Sequence, residues 1–270
     1  MALLLKYRAE TSIPVEVEGL VPEAVRDKSL GQIEKLPLFH GNRSLPLAEF
    51  FDVSGDPSDL RIDFEGELAG VHWIGAQMTC GAIHVAGSAG RHAGSQMRGG
   101  EIHVEGDAGD WLGGEMQRGL IHVRGRAGHL AGAAYRGSTR GMTGGAILIG
   151  GDAGDEVGHS MRRGLIAVGG SIGDSAGISM IAGSLFVMGS CGVRPAAGMR
   201  RGSLVLLGDR PTLLPTFRLA GPSRPLFPRI YLLRLRRHGL SVADDLLQSE
   251  YTLYHGDLVA GGRGEVLVRL

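Results

Sequence analysis

The chain has 270 residues, and its 28 Lys plus Arg are balanced by 28 Asp plus Glu, so the formal net charge is zero. That length suits one large domain or two small ones, and neutrality removes the electrostatic reason to expect nucleic acid or an acidic membrane surface as a partner. Two cysteines, Cys80 and Cys191, exclude a disulfide framework and any four-cysteine cluster.

The first residues, Met1 to Lys6, carry too short an apolar run for a signal peptide, and no stretch approaches the roughly 20 apolar residues that span a bilayer. The expected compartment is the cytoplasm. Residues 1–56 read as a strand, turns and an apolar run around Ala48–Val53, forming an N-terminal cap.

Residues 57–210 repeat. Methionines stand at 78, 97, 116, 142, 161, 180 and 199, a 19-residue spacing broken once by a seven-residue insertion within 133–141. Three residues after each Met comes a glycine, which for the first six copies is Gly81, Gly100, Gly119, Gly145, Gly164 and Gly183. Nine after it comes another, giving Gly87, Gly106, Gly125, Gly151, Gly170 and Gly189. These twelve are the expected structural glycines, placed at corners that need positive φ or close backbone approach. A degenerate first copy lies upstream at Ile62, Phe64 and Gly66.

Between the two glycines of each copy lies a β signal: Ile83-His-Val85, Ile102-His-Val104, Ile121-His-Val123, Ile147-Leu-Ile149, Ile166-Ala-Val168, Leu185-Phe-Val187 and Leu204-Val-Leu206. Its outer positions are always aliphatic, so they share one strand face and the middle residue takes the other. One such strand cannot bury its apolar face alone, and stacked copies turn equivalent positions into ladders. The pattern predicts an all-β, right-handed parallel β-helix of about eight turns, on the order of 35–40 Å long.

All 11 prolines fall outside 58–194. Residues 211–270 form the expected C-terminal cap, with a helix over Arg229–His238 stopped by Gly239, a short helix near Val242–Gln248 and a strand near Glu265–Leu270. Both caps follow from the exposed sheet edge that a terminal turn leaves.

Chemistry has few places to reside. The middle strand position is His84, His103 and His122 in three copies and Leu148, Ala167, Phe186 and Val205 in the next four. A metal site there is disfavoured, because neighbouring side chains in a ladder run parallel and do not converge on one ion, and because the ladder offers no carboxylate or thiol. We expect His84, His103, His122, Leu148, Phe186 and Val205 to form a face packed against another chain or a cap. Arginines follow the Met: Arg98, Arg118, Arg162, Arg163, Arg200 and Arg201. Aspartates 107, 152, 155, 174 and 209 are available as ion-pair partners, the commoner arrangement; left free, Arg162, Arg163, Arg200 and Arg201 suit a polycarboxylate. His92, His129 and His159 sit in Gly-rich turns without a repeating partner, and Gly150–Gly154 lacks the Lys-Ser/Thr ending of a phosphate loop. Nothing reads as a catalytic constellation.

The Gly-x-Ile/Leu-x-Val-x-Gly-x-Ala-Gly pattern, as in Gly100–Gly109, Met161–Gly170 and the closing Tyr254–Gly262, resembles the C-terminal β-helix of glutamate synthases. It is still more similar to the C subunit of formylmethanofuran dehydrogenases, over nearly the whole length. That resemblance implies a hetero-oligomer in one-carbon metabolism. In methanogens a tungsten or molybdenum subunit reduces CO2 to formylmethanofuran; in methylotrophic bacteria a related formyltransferase/hydrolase complex passes a formyl group from tetrahydromethanopterin to a methanofuran-like carrier and releases formate. Arginine supplies all but three of the basic residues, which fits a GC-rich bacterial genome and favours the second setting. The resemblance implies a scaffold subunit with no catalytic residue, no metal and no cofactor of its own. Its partners are the formyltransferase and hydrolase subunits, with metals in sister subunits, and the arginine corner is a place for a polyglutamate-type carrier tail.

Overall fold

The computed structural model describes residues 2–270. Ahead of the regular repeats come β1 (Leu3–Tyr7), β2 (Val15–Glu16), α1 (Pro22–Val25), α2 (Leu30–Ile33), β3 (Pro37–His40), β4 (Arg43–Pro46), β5 (Phe51–Ser54), β6 (Arg61–Glu65) and β7 (Val71–His72). Each repeat then supplies one short strand: β8 (Ala82–Val85), β9 (Glu101–Val104), β10 (Leu120–Val123), β11 (Ala146–Ile149), β12 (Leu165–Val168), β13 (Ser184–Val187) and β14 (Arg201–Leu206). The chain closes with β15 (Arg218–Ser223), α3 (Phe227–Arg237), β16 (Tyr251–Gly256) and β17 (Arg263–Arg269).

Strands β6 and β8 to β14 lie side by side and parallel, and equivalent positions pair: Ile83 with Ile102, Ile102 with Ile121, Ile121 with Ile147, and onward to Leu204. They form the middle of a 13-stranded sheet, mostly parallel. At one end β1 pairs parallel with β6 and antiparallel with β5; at the other β17 pairs parallel with β14 and carries β16 and β15 antiparallel. The degenerate copy at Ile62 and Phe64 is therefore a true strand of the stack. A second, 4-stranded sheet runs β4-β3-β2-β7. Elsewhere on each coil a single-residue ladder, Ala89 to Ala108 to Ala127 to Ala153 to Ile172 to Cys191, is also parallel.

The aliphatic strand positions and the methionines meet inside. Ile83, Ile102, Ile121, Ile147, Ile166, Leu185 and Leu204 are fully buried, as are all seven repeat methionines from Met78 to Met199. Unbranched thioethers fill the gaps between β-branched ladders, and alanines allow the opposite wall to approach closely.

The two glycine series do different work. Gly81, Gly100, Gly119, Gly145, Gly164 and Gly183 have φ between +83° and +111°, so this corner needs the left-handed region. Gly87, Gly106, Gly125, Gly151, Gly170 and Gly189 do not adopt positive φ. Each N–H from Gly106 onward donates to the preceding copy's glycine carbonyl at 2.8–3.0 Å. A side chain there meets the neighbouring coil: a Cβ on Gly170 lies 2.8 Å from Gly151 C, and one on Gly151 lies 3.0 Å from Gly125 O. Close approach, and not backbone handedness, selects glycine at 151.

The outward strand face divides into two halves. Over β11 to β14 it is covered by α3, whose Leu232 and Leu235 join Leu148, Leu165, Ala167, Phe186 and Val205 in one buried cluster. Phe186 also meets Tyr231 with ring centroids 5.5 Å apart. Leu148, Phe186 and Val205 are at most 1 % exposed. Of the two occupants expected for these three positions, another chain or a cap, the C-terminal cap supplies the cover through its own helix, because a greasy sheet face and an amphipathic helix in one polypeptide pack at no translational cost. The helix starts with Pro228 in its first turn and ends before Gly239, at φ +88°.

Candidate functional site

Three surface features gather the polar chemistry. The uncovered half of the outward face carries His84, His103 and His122, adjacent in register and half-buried. They line a depression of about 350 Å³ together with Arg61, Glu105 and Arg124. Most of its charges are already satisfied within it. His84 Nε2 lies 3.3 Å from Glu105, Arg124 Nε 2.9 Å from the same carboxylate, and His103 Nε2 3.3 Å from Glu101. Asp63 also sits in this ladder, paired in register with His84, and accepts from Arg61 Nε at 2.8 Å; the ladder does contain a carboxylate, contrary to expectation, because the degenerate copy aligns as a full strand. Burial, then the neighbouring His103 and Arg124, lowers the His122 pKa. Among the described residues no cluster of three or more His, Cys, Asp or Glu side chains is placed to hold a metal ion.

The second feature is cationic. Arg162, Arg163, Arg200 and Arg201 border one groove of about 500 Å³, joined by Arg263 of β17. Ile181 and Ala182 occupy the corresponding corner of the intervening coil and give the groove an apolar floor. The expected pairing of these arginines with repeat aspartates does not form. Asp107, Asp152, Asp155 and Asp174 instead accept backbone N–H groups of the next coil, from Arg126, Ser171, Asp174 and Val193 at 2.7–2.9 Å. Asp107 pairs in addition with Arg126, 3.6 Å away, which is not one of the groove arginines. Among the described residues, none of the five groove arginines has a carboxylate partner. Arg263 follows no repeat Met, so the periodicity gives no sign of it.

The third feature has no counterpart among the sequence expectations. Trp73, His92 and Trp111 occupy one corner of consecutive coils, each at positive φ, and the insertion delivers Tyr135 across them. Trp73 and His92 stack 4.1 Å apart and Trp111 and Tyr135 4.6 Å apart. The Tyr135 hydroxyl donates to Ser95 Oγ at 2.7 Å, which leaves His92 Nδ1–H to donate to the tyrosine oxygen at 2.9 Å. All three corner positions stand five residues before a repeat Met, a regularity present in the sequence. His129 and His159 are held separately, by Asp155 and Glu156. Burial, with His72 and Arg91 close by, pulls the His92 imidazole from 6.5 down to about 4. The unfolded chain therefore takes up the proton first on acidification. Stability supplied by the neutral stack is complete above about pH 6.5 and falls as pH drops from there towards about 4. Urea melts across this window should show that slope, and His92→Phe should flatten it; equal slopes would contradict the assignment.

Neither cysteine offers a nucleophile paired with a base. Burial pushes the Cys191 thiol up to about 12. No helix is long and apolar enough to cross a membrane among the described residues.

Coils stacked through a glycine-punctuated repeat, with a surface of cations and imidazoles, define the class: the chain belongs to the GXGXG motif family, whose model matches residues 72–215. Proteins similar to it include C subunits of formylmethanofuran dehydrogenases. It is 33% identical over 96 residues to the C subunit of tungsten-containing formylmethanofuran dehydrogenase 2 from Methanothermobacter wolfeii, covering 34% of this chain and 36% of that one. It is 38% identical over 95 residues to the C subunit of molybdenum-containing formylmethanofuran dehydrogenase 1 from Methanothermobacter thermautotrophicus, covering 35% and 24%. The chain thus spans about a third or less of the length of these curated relatives. The likeness to a solved structure runs end to end. A chain in the crystal structure of the formyltransferase/hydrolase complex (FhcABCD) from Methylorubrum extorquens, in complex with methylofuran, superposes with a TM-score of 0.91 at 34% identity, covering 99% of both chains.

Proposed function

We propose that this chain is the C subunit of a cytoplasmic formyltransferase/hydrolase complex. In this role it is a scaffold without catalytic groups. It holds formyltransferase and hydrolase subunits that transfer a formyl group from tetrahydromethanopterin to a methanofuran-like carrier and hydrolyse it to formate. The observation that carries the reading is the end-to-end likeness to a chain of the Methylorubrum complex. The parallel register of successive coils supports a right-handed parallel β-helix as the rigid body of the scaffold. The half-buried His84, His103 and His122 face, which the end of α3 reaches only at His122, is assigned to docking. Mixing purified formyltransferase and hydrolase subunits with and without this chain tests the reading: they should co-elute as one assembly only when it is present. Co-elution without it would contradict the scaffold role. The alternative setting, the C subunit of a tungsten or molybdenum formylmethanofuran dehydrogenase, draws on the curated relatives, and co-assembly with a molybdopterin-type subunit would select it.

The arginine groove supports a second role. Five unpaired guanidinium groups around an apolar floor suit a chain of carboxylates, because each pairs bidentately with one. We assign Arg162, Arg163, Arg200 and Arg201, with Arg263, to the carrier's polyglutamate-type tail. Replacing the first four by alanine is expected to raise the carrier's KM in the complex by about tenfold, with kcat unchanged. An unchanged KM would remove the groove from carrier binding.

A further inference from the structure

Helix α3 is apolar on two sides. Leu232 and Leu235 are buried against the sheet, whereas Leu226 (74 % exposed), Ile230 (64 %) and Leu233 (39 %) stand in solvent. Their spacing of four and three residues puts them on one stripe. This outer stripe adds nothing to the chain's own core. Arginines flank it, and they fall into two groups. Arg224 and Arg236 are paired, with Glu250 at 3.7 Å and Asp244 at 2.8 Å. Arg229, Arg234 and Arg237 have no carboxylate partner among the described residues.

Arg234 and Arg237 gain from the negative end of the helix dipole. Arg229 does not: it lies in the first turn, where a cation is unfavourable and no acidic residue balances it. Folding accounts for neither Arg229 nor the outer apolar stripe. Beside them a cleft of about 100 Å³ opens between Leu226, Arg229 and Leu247, a receptacle of the size of one anchoring side chain.

We infer that the outer face of α3 is a docking surface for a partner protein whose contacting patch is apolar at its centre and rimmed by carboxylates. Resting on the scaffold reading, that partner is a sister subunit of the complex. Charge complementarity selects it: a patch of unpaired arginines around apolar side chains is matched by the opposite arrangement. A second copy of this chain is a poor occupant, since a two-fold contact would set this arginine-rimmed patch against its own copy, cation facing cation. The docking role expected for Leu148, Phe186 and Val205 thereby passes outward through the helix that covers them.

The test uses the full chain carrying Ile230→Asp or the pair Arg229→Glu and Arg237→Glu, co-expressed with the formyltransferase and hydrolase subunits, with assembly read by native mass spectrometry and titration. These positions are exposed, so Tm of the free chain should stay at the wild-type value. Each variant is expected to weaken assembly by at least about tenfold. Wild-type assembly by both variants overturns the inference alone. A wild-type chain that does not assemble overturns the scaffold reading as well. Binding of the wild-type chain to phosphatidylglycerol vesicles, lost in Ile230→Asp, would assign the face to lipid and overturn a protein partner.

Discussion

Phe186→Ala is expected to destabilise the chain by about 3–5 kcal/mol, the cost of emptying a fully buried aromatic site. The ring is fully buried between the sheet and α3, against Tyr231 and among Val205, Leu232 and Leu235. Its removal opens a cavity at the seam that holds the C-terminal helix on the stack. The helix cannot simply settle inward, because Leu148 and Ala167 on the same face are already at contact distance of the same cluster. Thermal unfolding should show Tm lower by roughly 10 °C. A loss under about 1 kcal/mol would mean that the helix is not what covers this face. That outcome would return Phe186 and Val205 to the pool of surfaces open to a sister subunit.

Gly119→Val should be at least as damaging, costing about 3 kcal/mol or more from two independent sources. The first is conformational, since φ is +98° and a β-branched residue is strongly disfavoured in the left-handed region. The second is steric: an added Cβ would lie 2.5 Å from the Gly100 carbonyl oxygen and 2.7 Å from Met97 Cε. The methionine can swing aside, but the oxygen belongs to the coil beneath. Gly137→Val separates the two sources, because φ there is +87° with nothing within 4 Å. It should cost only the strain, about 1 kcal/mol. Equal urea midpoints for the two variants would contradict the stacking geometry.

The stack was legible because its signal recurs. Each copy repeats Met, glycine, aliphatic-x-aliphatic and glycine at fixed offsets, and the paired register of the strands follows those offsets residue for residue. The reason for each glycine was less legible. Positive φ and close approach both demand the same residue, so Gly119 and Gly151 look alike in sequence and differ only in the fold. The apolar stripe at Leu148, Phe186 and Val205 announced that something must cover it, but not what: periodicity is local, and the covering helix lies more than twenty residues further along the chain. The arginine groove was half legible. Its four repeat members stand one and two residues after a Met, whereas Arg263 arrives on a strand outside the repeat and Ile181 and Ala182 mark where the pattern lapses. The ring stack was hidden because its fourth member, Tyr135, lies in the insertion that breaks the period.

The features of this surface favour holding over reacting. His84 and His103 are tied to Glu105 and Glu101, the Cys191 thiol is held protonated, and the free cations line a groove suited to many carboxylates. The most direct test of the scaffold claim is single-turnover formyl transfer and hydrolysis with a formylated carrier, comparing this chain alone, the sister subunits alone and the reconstituted complex. We predict no turnover by this chain alone and full turnover only by the complex. Formyl transfer or formate release by the isolated chain would contradict the account.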